Sequence, residues 1–243
     1  MHTTIDTTID ATTRLGDLVT AHPELARELE RRGLDYCCGG GQTLAEACEA
    51  IGLDAAETAG ELAGAASAAP LADWASMTAA ELVDHIESTH HRYLWDEMPR
   101  LSALVDKILT VHGDRHPELR EIAECYAEIR ADLEPHLTKE ERVLFPMIRE
   151  LADATTPPSF HCGTLQNPIS VMLAEHDTVG DLLARLRRLT GGYEPPADGC
   201  ASYRACFEGL AALEADTHLH VHKENNLLFP QVLEMESRLG ATR

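Results

Sequence analysis

The sequence predicts an all-α protein, with a small helical domain followed by an up-down-up-down four-helix bundle. Alternating Val, Ile and Thr patterns are nearly absent from the 243 residues, and aromatic residues make up only 5%. Both features disfavour β-strands. Four long segments with helical periodicity follow one another in the second part of the chain, as is typical of an antiparallel bundle. A hydrophobic fraction of 44% is enough to build a core.

The small domain is predicted to span residues 1–66. Pro23 suits a first helical turn and Gly33 the position after a helix end, so a helix is predicted over 23–32. Two capping-box sequences predict that further helices begin near residues 44 and 55. The glycine-rich segment between the helices is expected to be a loop, and it carries adjacent cysteines.

Residues 67–76 are small and weakly patterned, which predicts a linker. The bundle is expected over residues 77–238. Its four predicted helices cover roughly 79–111, 117–150, 168–190 and 199–236.

Charge and composition exclude several classes of partner. The chain has 20 basic against 41 acidic residues and a formal charge of -21, so it should repel nucleic acids and anionic membrane surfaces. A signal peptide and a membrane-spanning run are both lacking, which predicts a cytoplasmic protein. Seven cysteines in a chain of this length do not indicate a disulfide framework.

Two segments of the bundle repeat the pattern His-x-x-x-Glu followed by Leu-Phe-Pro. The first begins at His136 and contains Glu140; the second begins at His220 and contains Glu224. Helix positions i and i+4 lie on one face about a turn apart. Each His and its Glu can therefore reach one metal site.

A single histidine precedes each copy of the pattern. His91 and His176 are 85 residues apart, and the two patterns are 84 apart, so each half of the bundle offers the same three donors. Four imidazoles with two carboxylates that can bridge suit two non-haem iron ions better than zinc, magnesium or calcium. The alternative is that these side chains lie on solvated faces or make ordinary core hydrogen bonds, and the repeat argues against it.

The remaining histidines are interpreted conservatively. His90 adjoins His91 but projects about 100° away from it, so only one of them can face the metal site. Two i, i+4 pairs, His112 with His116 and His218 with His222, are expected to be exposed to solvent. His222 should lie opposite the ligand face.

Specific motifs of both domains point to one family. One motif is Asp-Tyr-Cys-Cys-Gly-Gly from Asp35, and the others begin at His91, His136, His176 and His220. In this combination and domain order the sequence resembles the iron-sulfur cluster repair di-iron proteins (repair of iron centres, RIC family), over residues 14–236. The resemblance implies a hemerythrin-like bundle and repair of iron-sulfur clusters damaged by nitrosative or oxidative stress. Damaged iron-sulfur proteins would be the clients, and a homodimer is compatible with this interpretation.

The resemblance also implies a ligand set and a functional pair of thiols. The implied centre has two iron ions bridged by two glutamates and an oxo group. Its metal ligands are His91, His136, Glu140, His176, His220 and Glu224, and the thiol pair is Cys37 and Cys38.

The adjacent glycines leave Cys37 and Cys38 uncovered, so both thiols are expected to be exposed and to act in redox chemistry, iron transfer or contact with a client. Buried, inert thiols are the alternative. The other five cysteines are expected to be core or surface thiols. Two features depart from the family pattern: Pro135, which could open the helix before His136, and a lengthened hairpin at 155–163.

Two further functions remain open from the sequence. One is a hemerythrin-like carrier or sensor of oxygen or nitric oxide. The other is a di-iron oxidoreductase that acts on nitric oxide or peroxide. A simple gas carrier has no need of a thiol domain, which favours repair.

Overall fold

A computed structural model describes residues 9–66 and 73–241. Within these ranges the chain is helical, with two isolated β-bridges and no strand, which confirms the predicted all-α class. The small domain contains four helices: α1 (Leu15–Ala21), α2 (Ala26–Arg32), α3 (Leu44–Ile51) and α4 (Ala55–Ala65).

The predicted boundaries of the small-domain helices follow from their caps. The 3₁₀ turn Pro23–Leu25 leads into α2, which ends at Gly33 with a φ of 73° that glycine adopts without strain. Thr43 and Glu46 form the predicted capping box at the start of α3. At the start of α4, Asp54 accepts a hydrogen bond from a backbone amide of the first turn.

Each long bundle helix except one is interrupted by a π-helical turn. The first helix consists of α5 (Ala79–Ile86), the π turn Glu87–His91 and α6 (Arg92–His112). The second consists of α7 (Leu119–Lys139), the π turn Glu140–Leu144 and α8 (Phe145–Asp153). The third is the uninterrupted α9 (Gln166–Leu189), and the fourth consists of α10 (Ala201–Lys223), the π turn Glu224–Leu228 and α11 (Phe229–Ala241).

Proline explains two of the three π turns. Pro146 and Pro230 each lie two residues after a π turn, where the missing amide and the bulk of the ring oppose regular α-helical hydrogen bonding to the preceding turn. The expectation for Pro135 was wrong, because α7 runs through it without a break as far as Lys139. The helix widens only after His136, at the ligand Glu140.

Two apolar clusters build the bundle on either side of the histidines. One joins α6, α7, α9 and α10, and the other joins α5, α8, α9 and α11. The small domain has its own core, which also includes Val221 of α10. The small domain therefore packs on α10, close to the π turn that follows it.

The predicted linker lies partly outside the described residues, which resume at residue 73. Its last four residues form the 3₁₀ turn Asp73–Ser76. Trp74 in this turn packs against His222, with ring centroids 5.7 Å apart. Among the described residues, no helix combines the length and the apolar character that a bilayer crossing requires.

Candidate metal centre

The six predicted ligands converge between the two bundle cores and are buried. Glu140 and Glu224 are fully inaccessible to solvent, and the four histidines are at most 2% exposed. They form two groups that share both glutamates, and within each group the donor atoms lie within 4.8 Å of one another. One group adds His91 and His220 to the shared pair, and the other adds His136 and His176.

The π turns supply both glutamates and one histidine of this centre. Glu140 and Glu224 are the first residues of their π turns, and His91 is the last residue of its own. A π turn inserts an extra residue into a helix, which redirects one side chain without changing the packing on either side. Both glutamates can therefore point inward together with the histidine one turn earlier.

The imidazoles direct their Nε2 atoms towards one another and their Nδ1 atoms outward. The Nδ1–H of His91 donates to Glu141 at 3.0 Å, and the Nδ1–H of His136 donates to Glu175 at 2.9 Å. The Nδ1–H of His176 donates to the amide oxygen of Asn225 at 2.8 Å. These three bonds leave lone pairs on the inward Nε2 atoms.

The inward nitrogens nevertheless lie close together. Nε2 of His91 is 3.2 Å from Nε2 of His220, and Nε2 of His136 is 3.2 Å from Nε2 of His176. Both carboxylates are buried, and no described group other than these imidazoles lies close enough to donate to them: Nε2 of His136 is 3.2 Å from Glu140, and Nε2 of His176 is 3.1 Å from Glu224. Buried imidazoles and carboxylates that converge in this way are stabilised by cations, and the donor set fits two metal ions.

The carboxylates also shift the proton equilibria of the imidazoles. Burial alone would disfavour a charged ring, but the nearby Glu140 and Glu224 carboxylates raise the pKa of His136 to about 10. The site therefore favours positive charge at this position, which either a proton or a metal cation supplies. Imidazole and carboxylate donors without thiolate suit iron or manganese.

An outer layer of hydrogen-bond partners orients the ligands, and the sequence analysis missed it. Glu141 and Glu175 hold His91 and His136, while Lys139 pairs with Glu175. The hydrogen bond from His136 and the nearby Lys139 ammonium hold the pKa of Glu175 at about 2. The only available sequence signal was adjacency, since Glu141 and Glu175 each neighbour a predicted ligand.

His90 belongs to neither donor group and lies behind the centre. Its ring stacks on His220 with centroids 5.6 Å apart. Its Nδ1–H donates to Asp216 at 2.9 Å, and its Nε2 accepts from the Lys223 ammonium at 2.7 Å. Burial lowers the pKa of His90 to about 4 and that of Lys223 to about 8.

The expectation that His112 and His222 are exposed was wrong. His222 is completely buried between the domains, where its ring packs against Tyr36 and Trp74. His112 is 4% exposed, and its Nε2 lies 3.2 Å from the sulfur of Cys200. Small-domain residues cover His222, which the periodicity of α10 alone could not reveal.

The expectation that both thiols of the pair are exposed was half wrong. Cys37 is 6% exposed, whereas Cys38 is partly accessible. Asp35 organises the loop by accepting hydrogen bonds from the amides of Cys37 and Cys38, both at 3.0 Å. The adjacent Cys38 sulfur and burial raise the pKa of Cys37 well above its ordinary value. Cys37 is therefore a protonated thiol.

A cavity of about 530 Å³ separates the thiol loop from the bundle. Cys38 lines it on the small-domain side, and Asp177, Gly180 and Arg187 line it on α9. Asp177 follows His176 directly in sequence. The accessible thiol thus faces the bundle beside one half of the metal centre.

The fold and this buried His/Glu centre define a hemerythrin-type metal-binding bundle. The family model for the hemerythrin HHE cation binding domain matches residues 82–232. A second model, ScdA_N, a domain of unknown function (DUF542), matches residues 11–66.

Several curated relatives match almost the whole chain. The iron-sulfur cluster repair protein YtfE of Enterobacter sp. (strain 638) is 34% identical over 222 residues, which cover 91% of this chain and 97% of the relative. The proteins of the same name from Citrobacter koseri and Escherichia coli O81 are 33% identical over the same shares. The chain belongs to this family of iron-sulfur cluster repair proteins.

Proposed function

We propose that the protein holds two iron ions and repairs iron-sulfur clusters damaged by nitrosative or oxidative stress. The observation that carries this proposal is the pair of four-residue donor groups that share Glu140 and Glu224. Relatives of nearly equal length are named for iron-sulfur cluster repair. Cytoplasmic action is part of the proposal, and the seven free cysteines support it because such thiols persist in a reducing compartment.

Iron in such a site would supply one-electron chemistry and an open position for a small molecule such as nitric oxide. His91 and His220 would hold one ion and His136 and His176 the other, with Glu140 and Glu224 shared between them. Glu141 and Glu175 keep Nε2 of His91 and of His136 free to bind by accepting the Nδ1 proton. The centre lacks thiolate, so it holds iron less firmly than a cysteine cage and is suited to donation.

The thiol pair is proposed to serve the exchange between the centre and a client. Cys38 is accessible from the cavity, and the Cys37 sulfur lies 3.9 Å from it. Both sulfurs lie close to the Asp35 carboxylate in a further group that could hold a metal ion. These contacts support a role in iron transfer or thiol redox chemistry rather than in folding alone.

One experiment separates the candidate functions. Protein loaded with ⁵⁷Fe is mixed with a client enzyme whose [4Fe–4S] cluster has been damaged by nitric oxide, and client activity and ⁵⁷Fe content are measured. Recovery with label in the client supports iron donation. Recovery without label supports removal of nitric oxide, and no recovery supports the gas-carrier alternative. A Glu140→Gln variant serves as the control with an impaired centre.

Two further aspects belong to the same proposal. A homodimer is expected, and light scattering of the purified protein tests it. Catalytic turnover of nitric oxide or peroxide is the alternative function at the same ions, and consumption of either substrate in the absence of a client would favour it.

A further inference from the structure

The thiol loop and one metal-site histidine share a single hydrogen-bonding residue. The side-chain oxygen of Asn225 accepts the Nδ1–H of His176 at 2.8 Å, and its amide nitrogen donates to the backbone oxygen of Cys37 at 3.3 Å. The outer partners of His91 and His136 are carboxylates of their own bundle. Of the three predicted ligand histidines whose Nδ1 is bonded to a described residue, His176 alone is connected in this way to the small domain.

Neighbouring residues pack closely around this contact. Asn226, the next residue, also donates to the backbone oxygen of Cys37, at 3.1 Å. A Cβ at Gly16 would lie 2.9 Å from the Asn226 side-chain oxygen, and one at Gly40 would collide with it. The loop backbone therefore rests directly on the π turn that begins at Glu224.

Cys38 lies on the opposite side of the same contact. A Cβ at Gly180 would lie 3.9 Å from the Cys38 sulfur, and Gly180 is one helical turn beyond His176 on α9. A group bonded to this sulfur enters the cavity between the loop and α9, where it contacts both the loop and the helix that carries His176.

We propose that Asn225 is a positioning residue through which ligation or covalent modification of the Cys37–Cys38 loop loosens His176 and promotes release of metal from its half of the centre. The inference rests on the proposed function, because it concerns the metal held by His136 and His176. While the loop is unmodified, the Asn225 side chain is bonded at both ends, and it fixes the tautomer and the orientation of the His176 ring. When the loop moves with the Asn225 amide still bonded to it, the side-chain oxygen of Asn225 is drawn away from His176.

The test measures iron release from the full chain to a colorimetric ferrous chelator, with and without methyl methanethiosulfonate. In this reaction the thiolate sulfur bonds to the methylthio sulfur of the reagent, methanesulfinate leaves, and the thiol proton passes to buffer. We expect modification to speed loss of one of the two irons about tenfold in the unaltered chain, since outer-partner changes typically alter metal affinity by about 10–100-fold. A Cys37→Ser/Cys38→Ser variant should show no acceleration. Because it keeps the other five cysteines, it shows whether their modification contributes to iron release.

Two isosteric variants test whether Asn225 couples the thiol loop to His176 or only supports the His176 ring. Asn225→Asp keeps an acceptor for His176 but cannot donate to Cys37, so its own rate of iron release, measured first without reagent, should show no acceleration on modification. Asn226→Asp loses the amide that donates to the backbone oxygens of Tyr36, Cys37 and His222 without touching His176, so it should still respond. Acceleration in Asn225→Asp equal to that of the unaltered chain would overturn the inference, as would no acceleration in the unaltered chain.

A second readout does not depend on iron. The ¹⁵N resonance of the His176 Nδ1–H reports its hydrogen bond directly and should shift on thiol modification in the unaltered chain but not in Asn225→Asp. An unchanged resonance in the unaltered chain would overturn the inference. Iron content measured before the chelator is added tests the proposed di-iron centre separately, so failure of the centre and failure of the coupling are distinguishable.

Discussion

Individual residues of the centre divide into proposed ligands, which the sequence analysis could single out, and their hydrogen-bond partners, which it could not. The ligands recur at matched spacings in both halves, so repetition revealed them. Glu141 and Asn225 hold the same position of the repeat, directly after Glu140 and Glu224, but they differ in residue type and bond to different histidines. Their assignment requires knowledge of which helices face each other, and no local pattern contains that information.

Removing the charge of one shared glutamate should empty the centre without unfolding the bundle. In Glu140→Gln the side chain keeps its size and loses the carboxylate that both donor groups use, so iron content should fall from about two per chain to one or none. Metal analysis and circular dichroism measure the two effects. Glu141→Gln is the milder comparison. It alters the hydrogen-bond partner of His91 and Trp95 and leaves all six donors in place, so it should retain iron with about tenfold weaker affinity. Full iron content in Glu140→Gln would contradict the bridging assignment.

The two adjacent thiols should differ in reactivity. Cys38 is accessible from the cavity, whereas Cys37 is buried and its pKa is raised by the Cys38 sulfur and by burial. Iodoacetamide should therefore label Cys38 well before Cys37, because the thiolate is the reacting form. Peptide mass spectrometry at short times measures the order of labelling. Equal rates at the two positions would show that the loop opens faster than it reacts.

Cys200 should be a reactive thiol at the far end of α10, remote from the centre. The hydrogen bond with His112 and the first-turn amides of α10 lower the pKa of Cys200 to about 7. The thiolate fraction rises as pH increases through the pKa, so the alkylation rate should be half-maximal near pH 7. His112→Ala should move this midpoint towards the ordinary thiol value of about 8.5. A midpoint that stays in place would exclude the imidazole as the cause.

At the scale of elements, helix starts and ends were predictable because they depend on local chemistry. Thr43 and Thr78 both form the capping boxes that their sequences indicate. The π turns were not predicted, because one inserted residue hardly changes the helical periodicity of a long segment. Pro146 and Pro230 carried the signal, because each repeats at the same distance from a ligand glutamate. The helix accommodates each proline with a π turn.

Deleting one residue of a π turn should abolish metal binding while preserving the helix. Val143 is 40% exposed and lies within Glu140–Leu144, so its deletion restores an α-helical count and leaves the apolar side chains on either side in register. Glu140 would then rotate relative to its donor group. Metal analysis should show loss of iron, with helix content unchanged by circular dichroism. Val143→Ala keeps the residue count and should bind iron normally; loss of iron there would point to packing instead.

At the scale of the molecule, the sequence predicted two domains but not how they meet. Val221 and His222 of α10 are buried against the small domain, although the bundle pattern alone would place them on an outer face. Glu30 of α2 accepts a hydrogen bond from His218 at 3.1 Å. Contacts between domains combine residues far apart in sequence, so neither domain's periodicity specifies them.

These contacts predict how the bundle behaves without its partner domain. A chain that begins at Asp73 keeps all six donors and the Trp74 contact with His222, so it should fold and bind about two irons. It exposes Val221, whose burial is worth roughly 1.5–3 kcal/mol by area, and its Tm should fall by several degrees. Calorimetry and metal analysis measure the two effects.

The same truncated chain distinguishes the role of the thiols from that of the interface. Repair of a damaged client should be lost both in the truncated chain and in the full chain with Cys37→Ser/Cys38→Ser, because both lack the thiols. Only the truncated chain should lose thermal stability. If the double Ser variant repairs clusters as well as the unaltered chain and the truncated chain does not, the small domain acts by covering α10, and the thiols are not required.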